Sequence, residues 1–110
     1  MGIRLDKPWR DLTASEVASL WAELGVFQLA DAEGCVLRIG YAGGRSLFGL
    51  RGELAKALEA GGAAKFRLEV TSQYLSRFEE LLMIHKADFG ELPAGNAAEG
   101  AGRLGRLSPG

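Results

Sequence analysis

The chain has 110 residues, thirteen basic and fourteen acidic side chains, and a formal net charge of −1, a length that suits one hydrophobic core rather than two. Hydrophobic residues at 47% and charged residues at 25% exclude a wholly disordered, collagenous or coiled-coil protein, and the near-neutral balance excludes a global field drawing the chain onto phosphates. The lone Cys35 forms no internal disulfide and fits a reducing, cytoplasmic compartment; the start MGIRLDKPWR has no apolar signal region, and no membrane span is expected.

Trp9 lies outside any periodic segment and is expected to pack the N-terminal arm onto the domain. Thr13 stands three residues before Glu16, the capping-box spacing that satisfies free amides of a first helical turn. Val17, Leu20, Trp21 and Leu24 follow at helical spacing, which predicts a helix ending at Gly25 with Trp21 in the core. The runs GVFQLAD and CVLRIGY, joined by a short connection containing Gly34, predict an antiparallel hairpin over 25–31 and 35–41, with Asp31 and Glu33 serving the turn.

Five glycines between residues 40 and 52 predict a loop, after which Leu47, Leu50, Leu54 and Leu58 describe one stripe of a helix ending at Gly61-Gly62. No Gly-Lys-Ser/Thr and no GxGxxG spacing is present, so these glycines are not a nucleotide cradle. From Cys35 to Gly52 the chain carries Arg38, Arg45 and Arg51 and no Asp or Glu, a local candidate for facing phosphates.

KFRLEVT predicts a third strand over 65–71 that buries one side only, through Phe66, Leu68 and Val70. The longest helix is expected over 73–87, with Leu75, Phe78, Leu82 and His85 along its buried stripe, Leu81 beside it, and His85 as a packed, hydrogen-bonded side chain. Phe89-Gly90 stops it, Pro93 prevents its renewal, and Gly95-Asn96 reads as a turn. Together these elements predict an α+β fold, a small central antiparallel three-stranded sheet flanked by helices in the order α-β-β-α-β-α. It would occupy residues 1–96, ahead of a flexible Gly/Ala-rich tail over 97–110.

Gly25-Val26-Phe27 and Arg38-Ile39-Gly40 at hairpin spacing, SLFGLRGEL with Arg51, the long helix with Glu79-Glu80, and PAGN with Pro93 and Asn96 follow one another in order. Over about residues 25 to 96 this pattern resembles the GIY-YIG nuclease domain. The resemblance implies catalytic roles for Arg51, Glu79 and Asn96, with Glu79 holding Mg2+ or Mn2+ to stabilise charge on a phosphate. It implies phosphate pairing by arginine and binding positions at Phe27, Arg38, Gly40, Tyr41 and Arg45, Arg45 being the rival of Arg51. Helical phase favours Glu79 over Glu80, placing it among Leu75, Phe78, Leu82 and Met83 toward the sheet.

Two departures bear on activity. Phe27 and Arg38 stand where the family carries tyrosines, and neither side chain can act as a general base. Tyr41 lies an odd number of residues from Arg38, so a regular strand sends it to the opposite face. Two readings follow: a catalytically weak or silent domain binding nucleic acid or a protein partner, or a metal-dependent DNA endonuclease using Glu79, Arg51 and Asn96. The missing hydroxyls and the near-neutral surface favour the first. In either case Arg38, Arg51 and Glu79 are expected to open onto one groove floored by Phe27.

Overall fold

The two runs rich in β-formers pair as the central hairpin of the computed structural model, which describes residues 4–97. Strand β1 is Arg10–Asp11, helix α1 Ala14–Ala18, β2 Gly25–Ala30, β3 Val36–Ala42, α2 Gly49–Ala60, β4 Lys65–Val70 and α3 Tyr74–Phe89. The sheet has the order β1-β4-β2-β3, and every neighbouring pair is antiparallel. The fold is α+β, as expected, but the sheet has four strands rather than three. The extra strand, β1, pairs only Arg10 and Asp11 with Phe66 and Lys65, too short a run to leave a two-residue period in the sequence. Among the described residues, no helix is long and apolar enough to cross a membrane.

Asp31 turns the hairpin by accepting the Glu33 and Cys35 amides on its Oδ1, at 3.0 and 2.9 Å. Beyond the turn, Leu29 pairs with Arg38 and Ala30 with Val36, so Leu37 is the extra residue of a bulge. Every residue of β2 is buried, because this strand is central and both of its faces are covered. On one face Phe27, Leu29, Ala42 and Phe66 pack with Leu12, Val17, Leu50 and Leu54 beneath α1 and α2. On the other, Val26 and Ile39 pack with Leu5 and with Leu81 of α3. Each such buried Leu, Ile or Phe contributes about 1.5–3 kcal/mol relative to exposure.

Three local expectations are corrected. Thr13 does cap α1, accepting the Glu16 amide at 3.2 Å, yet Ser19 ends the helix with its hydroxyl on the Glu16 carbonyl at 2.7 Å. The chain then leaves the helical path, and Trp21 is 80% exposed rather than core. The outward side of β4 is not left to water: Arg67 reaches Gln28 at 2.7 Å and Glu69 receives Arg77 at 3.1 Å, while Val70 is exposed.

The third correction concerns the phase of α3. Leu81 is its buried residue, with Tyr74, Phe78 and Leu82 packed around the same cluster, whereas Leu75 is 54% exposed. The helix turns its Tyr74–Arg77–Phe78–Leu81 side to the sheet because that sheet face carries Tyr41 and Glu69, which hold Phe78 and Arg77. Glu79 is consequently exposed and Glu80 half-buried against Arg77. After Gly90, residues 94–97 form a helical turn rather than a reverse turn. Of the tail expected over 97–110, Ala97 belongs to this turn and the rest lies outside the described residues.

Candidate functional site

Strand β3 is the edge of the sheet, so side chains from both of its faces can reach one surface. On the α3 face, the Tyr41 ring stacks on Tyr74 with centroids 5.7 Å apart and planes at 19°. Phe78 meets Tyr41 edge-on at 5.0 Å and 62°. On the α2 face, Phe27 lies across from Gly40, and a Cβ at Gly40 would overlap its ring. Arg38 shares that face through its pairing with Leu29.

A groove of about 470 Å³ wraps around this edge, lined among others by Phe27, Arg38, Tyr41, Arg45, Glu53 and Tyr74. The glycine loop also lines it, through Gly43, Gly44, Arg45 and Ser46. Gly43 donates its amide to the Ser46 hydroxyl at 2.9 Å, and Gly44 donates to the Tyr74 hydroxyl oxygen at 3.2 Å. A side chain at Gly43 would strike the Tyr74 ring, so close approach of loop and helix requires glycine there. With its oxygen already accepting, the Tyr74 hydroxyl keeps its own proton to donate.

The sequence-derived binding residues Phe27, Arg38, Gly40, Tyr41 and Arg45 all line this groove. The three residues given catalytic roles by resemblance do not come together there. Arg51 lines a separate apolar depression with Val17, Phe48 and Leu58. Glu79 sits exposed on α3, outside the groove lining. Asn96 is buried, and both ends of its amide are held by the Ile39 main chain at 2.7 and 2.8 Å.

Glu53 supplies the groove's carboxylate instead. Its side chain is 21% exposed and lies 3.4 Å from Lys56. Sequence reasoning passed over it, although it is the first acid after the arginine-bearing run from Cys35 to Gly52. Tyr74 was also passed over; its signal is the aromatic pair it makes with Phe78 one helical turn later.

Among the described residues, no three His, Cys, Asp or Glu side chains gather as a metal site. One carboxylate beside Arg38 and Arg45 is a donor set that suits an anionic ligand better than a hard divalent cation, which needs several oxygen ligands. Chemically, the groove offers the exposed Tyr41 ring beside the half-buried rings of Tyr74 and Phe78, two guanidinium groups and a hydroxyl donor.

The family model described as Domain of unknown function (DUF7508) matches residues 3–88, and the chain belongs to that family. The match takes in every groove residue named above and ends before Asn96. No curated protein and no solved structure matches the chain.

Proposed function

We propose that this family member is a GIY-YIG-like domain that binds single-stranded nucleic acid in the edge groove without cutting it. The observation that carries the reading is the Tyr41–Tyr74 stack, bordered by Phe78 and set in the same groove as Arg38 and Arg45. An unpaired base presents a flat face that stacks on exposed aromatic rings, worth about 1–3 kcal/mol per base, and this contact tolerates any sequence. Guanidinium groups beside the rings pair with the phosphates on either side. A duplex keeps its bases stacked internally and offers only the phosphate contacts, which a chain of net charge −1 supports weakly.

The lack of cleavage is supported by the same geometry. Phe27 and Arg38 bring no hydroxyl to the groove, and Arg51, Glu79 and Asn96 lie in three different settings. Fluorescence anisotropy with labelled oligothymidylate, oligouridylate and a matched duplex tests the proposal. Both single strands bind more tightly than the duplex, and Tyr41→Ala weakens them about tenfold, one stacked base's worth. Supercoiled plasmid stays intact with magnesium or manganese. Equal binding of duplex and single strand, or no binding at low salt, overturns the reading; nicking abolished by Glu79→Ala establishes the endonuclease instead.

A further inference from the structure

At the other end of α3 from the groove, a pocket of about 590 Å³ opens between the N-terminal arm, the hairpin turn, the last turns of α3 and residues 91–94. Leu5, Val36, Leu81, Ile84 and Leu92 give it apolar walls. Two polar side chains, Gln28 and Arg67, stand as a registered pair on β2 and β4, and both line the pocket.

Arg67 is held in place without being neutralised. Its Nε donates to Gln28 Oε1 at 2.7 Å and its Nη1 to the Lys7 carbonyl at 3.3 Å. The Trp9 ring lies under the guanidinium, 4.1 Å from centroid to carbon. Arg4, Arg10 and Arg77 each have a carboxylate within salt-bridge distance, but no such partner of Arg67 exists among the described residues. Its Nη2 likewise has no hydrogen bond there. Burial pushes the Arg67 guanidinium below its ordinary value, and Asp6 only partly opposes this from a distance. A fixed, half-buried cation with unused donors in an apolar pocket is suited to a counter-ion that also fills the pocket.

We infer that this pocket binds a small monocarboxylate with an apolar tail, its carboxylate on Arg67 and Gln28 and its tail against Val36, Leu81 and Ile84. A carboxylate matches the two donors that a planar guanidinium edge and an amide present. Glu33, Asp88 and Glu91 also line the pocket. Their negative charge disfavours a multiply charged phosphate more than a single carboxylate. The site is separate from the edge groove, and its ligand does not depend on what the groove binds.

Cys35 lines the pocket, is exposed and is the chain's one cysteine, so its alkylation by neutral iodoacetamide reports occupancy. Hexanoate at millimolar concentration is expected to slow the reaction saturably, with hexanol and inorganic phosphate each about tenfold less effective, the margin of one charge-assisted contact. Arg67→Gln removes the protection by hexanoate. Ile84→Glu, on a half-buried wall and away from Arg67, removes it too by placing a like charge along the tail. Should Arg67→Gln fail to fold by circular dichroism, Ile84→Glu and the hexanoate-induced shift of the Gln28 side-chain amide in NMR decide the matter. Absence of protection, equal protection by hexanol or phosphate, or protection that survives in folded Arg67→Gln overturns the inference.

Discussion

The Asn96 side chain pairs with the main chain of Ile39 in both directions, Oδ1 accepting the amide at 2.7 Å and Nδ2 donating to the carbonyl at 2.8 Å. Ile39 lies on edge strand β3, so the amide side chain stands where a neighbouring strand's peptide group would, and it satisfies an edge that would otherwise invite pairing. Asn96 thereby fastens residues 94–97 to the rim of the groove. Asn96→Ala is expected to cost about 1–3 kcal/mol in urea unfolding, since a buried donor and acceptor both lose their partner. Asn96→Asp costs at least as much, because a carboxylate oxygen then faces the Ile39 carbonyl. A loss below about 0.5 kcal/mol, typical of surface sites, would mean that water serves the edge equally well.

The phase of α3 is tested by two leucines of the same helix. Leu81 is buried and Leu75 largely exposed. Leu81→Ala should cost about 2–5 kcal/mol through lost burial and a residual cavity, and Leu75→Ala should stay within about 0.5 kcal/mol. The reverse ranking in urea melts would restore the stripe through Leu75, Phe78 and Leu82.

What the sequence made legible was whatever had a period or a punctuation mark. The hairpin emerged within one residue of Gly25–Ala30 and Val36–Ala42, and α2 and β4 nearly as closely, because alternation, leucine spacing and glycines mark them. The phase of α3 was not legible: it depends on Tyr41 and Glu69 of the sheet, and an apolar count cannot register that Arg77 faces inward to meet Glu69. The groove was half legible. Arg38 and Tyr41 do leave β3 on opposite faces, but an edge strand lets one groove collect both, and edge position depends on strand order, which hairpin patterns leave open.

Arg77 joins two carboxylates, Glu69 and Glu80, with its own side chain only 11% exposed. Burial opposes its charge, but the hydrogen bonds it donates to Glu69 and Glu80, with the charges of both carboxylates, outweigh this and hold the guanidinium above its ordinary value. Arg77→Met should destabilise by about 1–3 kcal/mol, chiefly by leaving two carboxylates together without their cation. Adding Glu69→Gln and Glu80→Gln should recover most of that loss. A triple variant no more stable than Arg77→Met would place the cost in packing rather than charge.

Arg4 clamps the end of α3 through a two-pronged contact with Asp88. The hydrogen bond from Arg4 lowers the Asp88 carboxyl, desolvation opposes it, and the charges of Arg4 and His85 lower it further. Because the folded value is depressed, the contact stabilises the fold above the unfolded aspartate value and loses that effect as pH falls through the depressed one. An NMR titration of the Asp88 carboxyl should show a midpoint below the ordinary aspartate range, and Arg4→Gln should raise it. An unchanged midpoint in Arg4→Gln would mean that Arg4 does not hold Asp88 in solution.

Gly43→Ala and Tyr74→Phe separate the two things that the glycine loop does for the groove. An added methyl at Gly43 strikes the Tyr74 ring, so the ring must shift and its stack on Tyr41 at 5.7 Å must open. Tyr74→Phe keeps the ring and the stack but removes the oxygen that accepts the Gly44 amide at 3.2 Å. Both variants should fold, the first at a cost of about 1–3 kcal/mol for overpacking and the second at about 0.5–1.5 kcal/mol for a partly exposed hydrogen bond. Near-ultraviolet circular dichroism, which senses coupled tyrosine rings, should change strongly for Gly43→Ala and little for Tyr74→Phe. Affinity for oligothymidylate should follow the dichroism, falling with the broken stack and surviving the lost hydroxyl, because stacking supplies the binding. If Tyr74→Phe loses binding while its ring signal is intact, the Tyr74 hydroxyl rather than the aromatic platform is what the ligand meets.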